Sequence, residues 1–257
     1  MLHYFKKDPH FLLKYYSISL LFAVVCVAGL VVFRTAYPFD FSFSIWHLTL
    51  PPIGVLAGLY SAVFLHNAAH SNFRPRWLNR LVGEFCGFHQ LYGFAAWSIL
   101  HMAHHQFPDD PEKDPHPPEG LTFLEFSMAM KGMARRSLKR NFQHQWGGRG
   151  ALMLLWAAKD WIAIAGIWTK ALAWLLLLGP TAFLLGYLPS YLATFWFFAY
   201  FNYFTHREGS DGRVEIVDLD DSLFHQIVNR FFFGVFFHET HHRKPSLFNP
   251  MQSSPQR

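Results

Sequence analysis

Long uncharged apolar runs alternate with charged segments along the chain, and this pattern predicts membrane-spanning helices. Residues 15–33 carry no formal charge, and at 1.5 Å per residue such a run can cross about 30 Å of hydrocarbon. A second run, 46–66, begins at an interfacial tryptophan and ends at a histidine. These two runs predict the first two spans.

The longest uncharged run lies in the second half of the chain, and it is interrupted by Gly179-Pro180 and by Pro189. We expect two spans here, 171–188 and 190–204, joined as a hairpin. A single span would place the histidine that follows it across the membrane from the other histidines. The pattern therefore predicts about four transmembrane helices in two hairpins.

Shorter segments lie between these runs. Residues 88–100 are apolar but too short to span, which predicts a buried or re-entrant helix. The proline-rich, acidic segment 106–120 predicts a loop outside the bilayer. We expect 151–168 to be a separate helix at the interface, because a Lys-Asp pair lies at its middle. Residues 222–237 predict another short helix.

Composition agrees with a membrane protein. Hydrophobic residues make up 52% of the chain and charged residues 15%, against roughly 25% charged in soluble domains. Four spans, with the segments that join them, would fit its 257 residues as a single unit. We therefore expect one all-α integral membrane domain over 1–257, with a retained first span, since no small-residue cleavage site follows it.

The net charge of +5 would suggest nucleic acid binding in a soluble protein. Here the basic residues flank the apolar runs, which is typical of the cytoplasmic side of a membrane. They include Lys6, Lys7, Arg74, Arg76, Lys139, Arg140 and Arg207. We expect membrane lipids rather than nucleic acid as partners, and a location in the inner or cytoplasmic membrane.

Histidines supply the candidate chemistry. Three clusters, HNAAH, HMAHH and HETHH, contain His66 and His70; His101, His104 and His105; and His238, His241 and His242. Spacings of three and four residues place side chains on one helical face, so each cluster can direct its imidazoles to one point. Each cluster follows an apolar segment, and His206 follows the last predicted span, 190–204. We therefore expect all four segments on one side of the membrane.

Nine imidazoles exceed the three or four ligands of a single zinc site, which indicates two metals. Cys26 and Cys86 lie far apart in apolar surroundings, which predicts neither a disulfide framework nor a thiolate site. A metal transporter or sensor is the alternative of another class. Transport would favour ligands near the bilayer midplane, whereas we expect His66 and His206 at the cytoplasmic edge.

The three clusters, in this order, resemble the histidine boxes of the membrane fatty acid desaturase superfamily, from about His66 to Pro250. NYFTHREG resembles an element of its hydroxylase branch, which adds His206. The resemblance implies a four-span helical fold with a cytoplasmic, histidine-rich cap that binds two non-haem irons and uses O2 as co-substrate. The implied ligands are His66, His70, His101, His104, His105, His206, His238, His241 and His242.

The resemblance also implies an O2-dependent oxidoreductase that acts on unactivated C–H bonds of a long-chain lipid. We expect a fatty acyl desaturase; a hydroxylase, ketolase or alkene-forming enzyme acting on a hydrocarbon, fatty acid or carotenoid is the alternative, because no motif reports where the substrate sits. The sequence contains neither HPGG nor a paired CxxC. We therefore expect electrons from an external donor of the ferredoxin, rubredoxin or cytochrome b5 type, with a reductase.

Four further residues are candidates for an additional ligand or for orienting a ligand. His225 precedes the third cluster, and Asn202 and Asn229 lie one helical turn from His206 and His225 respectively. An asparagine can bind metal through water or hold a ligand, although buried asparagines usually bond backbone groups. Asp114 is the best candidate in an acidic loop that we otherwise expect to be solvated.

Other patterns have simpler interpretations. His89 lies in an apolar helix without a partner at metal-ligand spacing, so we expect a core histidine. Basic residues from Arg135 to Arg140 favour lipid headgroups over the phosphate of coenzyme A or acyl carrier protein. Phenylalanine-rich stretches could line a tunnel for a hydrocarbon, but most of these rings should face lipid or other helices.

Overall fold

The computed structural model describes residues 1–39, 43–118, 120–208 and 214–253. It is mostly helical. The α-helices of the described residues are α1 (Leu2–Phe5), α2 (Phe11–Ala36), α3 (Leu50–Ala69), α4 (Trp77–His89), α5 (Phe94–Gln106), α6 (Phe123–Trp146), α7 (Ala151–Ala182), α8 (Leu188–Phe204), α9 (Leu223–Phe231) and α10 (His238–Arg243). A short antiparallel pair, β1 (His206–Glu208) and β2 (Val214–Ile216), joins α8 to the C-terminal region.

Three helical segments of the described chain are long and apolar enough to cross a membrane: Phe11–Ala36, Ile45–Ala69 and Ala151–Phe204. Their apolar side chains point largely outward, and in α2 the side chains of Ile18 and Val32 are each 69% exposed. Outward apolar surfaces of this kind favour contact with lipid.

The third of these segments folds back on itself at Gly179. This residue has φ 79° and ψ 163°, a conformation that only glycine adopts readily, and Pro180 follows it without a backbone N–H. Trp174 and Tyr187 stack with ring centroids 5.3 Å apart, although a straight helix would separate them by about 20 Å. A hairpin was predicted, but its turn lies before Pro180 and not at Pro189, which occupies the first turn of α8, where a proline is tolerated.

The prediction of a separate interfacial helix over 151–168 is wrong, because α7 continues without a break through this region. The Lys-Asp pair on which it rested is compensated inside the fold. Lys159 forms an ion pair with Asp160 at 2.6 Å and lies 3.6 Å from the Trp156 ring centroid. Arg135 of α6 adds a second bond to Asp160, at 2.8 Å. Paired charges cost much less to bury than isolated ones.

Two pairs of long helices make the most extensive contacts in the bundle. In one pair Arg34 of α2 bonds the backbone carbonyls of Leu176 and Leu177, while the start of α2 lies beside the start of α7. In the other pair α3 packs against the segment that follows the turn at Gly179, which includes residues 183–187 and α8. Gly54 faces Gly186 in this second pair. The members of each pair therefore run parallel.

Helices α4, α5 and α6 pack against these two pairs. Helices α4 and α5 form a short hairpin, whose turn over 90–93 divides the single helix predicted over 88–100. The prediction of burial holds for the part in α5, which buries Ala95, Ala96 and Ile99. The helix predicted over 222–237 ends at Phe231, because Phe233 and Gly234 have positive φ values of 57° and 67°.

Candidate metal centre

Among the predicted histidines, the first pair, the first triplet and His206 lie near the end of an apolar helix or directly after it, whereas the last triplet lies in a short polar helix. The first pair ends α3, the first triplet lies in the second half of α5, His206 begins β1 directly after α8, and the last triplet belongs to α10. The structure brings all nine together at one end of the bundle. They form a five-histidine group (His66, His70, His101, His105, His241) and a four-histidine group (His104, His206, His238, His242).

In the five-histidine group, one ring nitrogen from each residue lies within 4.8 Å of all the others. Neighbouring Nε2 atoms are closer: 2.7 Å between His70 and His101, 2.9 Å between His66 and His241, and 3.1 Å between His105 and His241. Helices α3, α5 and α10 all contribute, so this group exists only in the folded chain.

The two HxxHH clusters are divided between the groups. In α5, His101 and His105 belong to the five-histidine group and His104 to the other. In α10 the division is reversed, since His238 and His242 join the four-histidine group. In a helix, residue i+4 is rotated by about 40° from residue i, and residue i+3 by about 60° in the opposite sense. The second and third histidines of each cluster therefore diverge by about 100°. The expectation that a whole cluster aims at one point is therefore replaced by a division of two and one.

Both groups suit transition-metal ions. Imidazole nitrogens bind such ions at about 2.0–2.1 Å, which puts neighbouring ligands at right angles about 3 Å apart. The observed Nε2 separations match that spacing. In addition, Nε2 of His104 is buried and has no hydrogen-bond partner among the described residues. A buried nitrogen lone pair without a partner is costly unless an ion binds it.

Two aspartates fix the orientation of two histidines in the four-histidine group, His104 and His206. Nδ1 of His104 donates to Oδ2 of Asp114 at 2.8 Å, and Nδ1 of His206 donates to Oδ2 of Asp109 at 2.7 Å. A carboxylate accepts this bond, so Nδ1 carries the proton and Nε2 presents its lone pair to the group. Carboxylate–histidine pairs of this kind typically support metal ligands.

Asp114 is 1% exposed and lies at the centre of its own hydrogen-bond network. Burial alone would raise the pKa of its carboxyl group, but the bond from His104 and the backbone N–H of His116 hold that pKa well below its usual value. The acidic loop is therefore partly buried, where a solvated loop was expected. Sequence reasoning considered Asp109 among the acids of this loop but preferred Asp114. It did not consider His116, whose ring lies 5.1 Å from that of His104.

One histidine of each group that lies outside the spans, His70 and His242, is held neutral, which is the form that binds metals. Burial lowers the pKa of His70 to about 4. Burial and the neighbouring imidazoles lower the pKa of His242 to about 2. These two imidazoles are therefore uncharged at neutral pH.

Three other predicted residues lie outside the two groups. Asn229 bonds the backbone of Leu219 and Phe236, and so holds the segment before α10 in place. His225 lies between the Tyr200 hydroxyl, at 3.0 Å, and the carboxylate of Asp221, at 2.9 Å.

Asn202 donates to the backbone carbonyl of Phe198 at 2.7 Å. It also lines the cavity described below. The glycine of the NYFTHREG element, Gly209, lies outside the described residues.

A cavity of about 140 Å³ lies against the five-histidine group. His66, His101 and Trp97 line it on the histidine side, and Phe198 and Phe201 of α8 form part of its wall. Most of its lining is apolar, so it suits a hydrocarbon chain better than a polar solute.

The fold and the paired histidine groups define a membrane protein with a candidate metal centre beside an apolar cavity. Comparison with known proteins identifies the family to which it belongs. The fatty acid desaturase family model matches residues 43–248, and the chain belongs to this family. It is therefore a member of a family of lipid-modifying membrane oxidoreductases, as the histidine clusters predicted.

Two curated relatives match over shorter regions. The chain is 30% identical over 95 residues to an sn-1 oleoyl-lipid 12-desaturase from Picosynechococcus, over 37% of this chain and 26% of that protein. It is 34% identical over 107 residues to an acyl-CoA 5-desaturase from Anemone leveillei, over 40% of this chain and 33% of that protein. The matched segments thus span a third or less of these relatives. No solved structure gave a significant match.

Proposed function

We propose that this chain is a di-iron, O2-dependent membrane oxidoreductase, and specifically a fatty acyl desaturase. The observation that carries the proposal is the convergence of nine histidines in two groups against one apolar cavity. Two groups suit two ions, and the family to which the chain belongs supports iron. The desaturase names of both relatives favour desaturation over hydroxylation.

In this proposal, the five-histidine group and the four-histidine group each hold one iron. The bound irons would supply the activation of O2 that removal of hydrogen from an unactivated methylene requires. The chain itself contributes three things. It presents neutral imidazoles, it fixes His104 and His206 through Asp114 and Asp109, and it would hold an acyl chain beside His66 and His101 in a mostly apolar cavity.

We propose four spans in two hairpins: α2, α3 and the two arms that meet at Gly179. The histidine groups would face the cytoplasm, because the basic residues nearest them mark that side. Arg74 and Arg76 follow the end of α3, and Lys139 lies on α6 beside the loop that contains Asp114. An external electron carrier would then dock on this face.

Lipid analysis of cells that express the chain tests the activity. We expect fatty acids with one additional double bond, detected by gas chromatography and mass spectrometry. The variant His241→Ala should form no product, because this residue bonds three others of its group. His144→Ala, on the exposed face of α6, is the matched control and should retain activity. An added hydroxyl or keto group in place of the double bond would contradict the desaturase assignment.

Metal content tests the centre itself. Protein purified without oxygen from iron-supplemented cells should contain about two irons per chain, because the nitrogen ligands form two groups. His89→Ala should leave both in place, since His89 bonds Ser190 and lies against Trp174 and Tyr187, away from both groups. One stoichiometric zinc, with no iron, would contradict the proposal.

A further inference from the structure

The apolar cavity has one Lys, Arg, Asp or Glu side chain among the described residues that line it, and this is Lys131 of α6. Its Nζ donates to the Tyr191 hydroxyl at 2.6 Å and lies 4.8 Å from the ring centroids of Tyr191 and Phe195. Lys131 is exposed and Tyr191 is half-buried. The cavity therefore reaches the surface between α6 and α8 at a cation held by aromatic rings.

Within the described chain, no carboxylate lies within ion-pair distance of Lys131. Its neighbour on the same helix, Arg135, is paired with Asp160 at 2.8 Å, so acidic groups are available to α6 but do not reach Lys131. An ammonium group has three N–H donors, and Tyr191 accepts one of them. The other two are free to bind an anion that enters the mouth of the cavity.

The cation lies far from the histidines. Tyr191 and Asn202, which both line the cavity, are separated along α8 by about 16 Å at 1.5 Å per residue. Asn202 lies toward the end of α8 that precedes His206. A chain whose polar end binds Lys131 would therefore place a carbon remote from that end beside His66 and His101.

We propose that Lys131 binds the anionic head of the acyl substrate where this chain enters between α6 and α8. The ligand class is a long acyl chain that ends in an oxyanion, either the carboxylate of a free fatty acid or the phosphate of a phospholipid. The inference rests on the proposed function for the acyl identity of the ligand. It adds the residue that selects the head and the direction in which the chain lies.

Binding of radiolabelled palmitate to the purified full-length protein in detergent tests this inference without turnover. Unlabelled palmitate should displace the label better than methyl palmitate, which has the same chain but no charge. In Lys131→Met, palmitate should lose about tenfold in affinity, since a charge-assisted hydrogen bond is lost. Methyl palmitate should compete as it does in the wild type. Lys131→Arg should restore the preference for the acid.

Lys139→Met is the matched control, because Lys139 lies on the same helix but lines a different cavity. It should behave as the wild type. Equal competition by acid and ester in the wild type, or an equal loss for both competitors in Lys131→Met, would overturn the inference. So would the same loss in Lys139→Met.

Competition by dipalmitoyl phosphatidic acid distinguishes the two sources of the oxyanion. Stronger displacement by this lipid than by palmitate assigns a phospholipid, the reverse assigns a free acid, and either result must weaken in Lys131→Met. A chain that binds palmitate through Lys131 but yields no modified fatty acid in cells would refute the proposed function and leave the binding site standing.

Discussion

The Asp114 carboxylate connects a surface loop to the interior of the four-histidine group. One oxygen accepts from Nδ1 of His104 and from the backbone N–H of Asp109, and the other accepts from the backbone N–H of His116. Asp114 therefore orients His104 directly. It also holds the backbone of Asp109, whose own side chain orients His206, so one residue supports two of the four candidate ligands.

Replacing Asp114 with asparagine should weaken metal binding in the four-histidine group selectively. The asparagine side chain replaces one carboxylate oxygen with an NH2 group, which cannot accept a hydrogen bond. At least one of the three N–H groups that bond Asp114 then loses its acceptor. Changes of this kind typically cost about 10–100-fold in metal affinity. After dialysis of the protein against a graded series of chelator concentrations, Asp114→Asn should retain about one iron where the wild type retains two.

Asp110→Asn is the control for that experiment, because Asp110 lies in the same loop. Among the described residues, its carboxylate contacts the backbone of Glu112 and Lys113 and the Lys113 side chain, and no histidine. It should keep both irons. Equal iron loss in the two variants would mean that the loop acts through its charge and not through His104.

At the scale of single residues, the sequence predicts the candidate histidine ligands better than the carboxylates that orient them. Spacings of three and four residues act through helical geometry, and the structure brings all nine predicted histidines together. Asp109 has no such periodic signal. It has a left-handed backbone, with φ 61°, and only the path of the whole loop turns its side chain toward His206.

At the scale of elements, the close approach of α3 to the chain returning from Gly179 positions the end of α3 that carries His66 and His70. Small residues make this approach possible. A Cβ atom added at Gly54 would lie 2.0 Å from the carbonyl oxygen of Gly186, and one added at Gly58 would lie 2.2 Å from that of Ser190. Small residues four apart are typical of closely packed membrane helices.

Gly58→Ala should therefore destabilise the protein by about 1–3 kcal/mol, because two backbones must separate to admit one methyl group. Thermal unfolding in detergent should show a lower midpoint. Gly166→Ala in α7 is the matched control, since nothing lies within 4 Å of the Cβ atom it would add. An unchanged midpoint in Gly58→Ala would mean that the two helices separate easily in detergent.

The elements were predictable where one physical rule dominates. Apolar runs located α2, α3 and α8 because length and lack of charge suffice to define a span. The turn of the last hairpin was misplaced because two prolines competed for it, and backbone conformation at Gly179 decides between them. The start of α7 was misjudged because its charges are compensated by Arg135 of α6, a contact distant in sequence.

At the scale of the whole molecule, all nine histidines lie at the opposite end of the bundle from the turn at Gly179. Phe39 lies near Gly179, while Arg76 and the chain after α10 lie at the histidine end. If the bundle crosses a membrane along its length, Phe39 must face the other side. Assembly of the histidine groups at one end of the bundle therefore requires one topology if the bundle spans a membrane.

Single cysteines placed at four positions should report this topology in intact cells, in a background where Cys26 and Cys86 are replaced by alanine. Arg76→Cys, Lys139→Cys and Ser253→Cys should share one accessibility to a membrane-impermeant thiol reagent. Phe39→Cys should have the opposite accessibility, because the helices that carry the histidines end on one face. Labelling of Ser253→Cys from the side opposite to Arg76→Cys would place α10 across the membrane from α3 and α5. The five-histidine group could not then assemble, and the proposed di-iron function would fail with it.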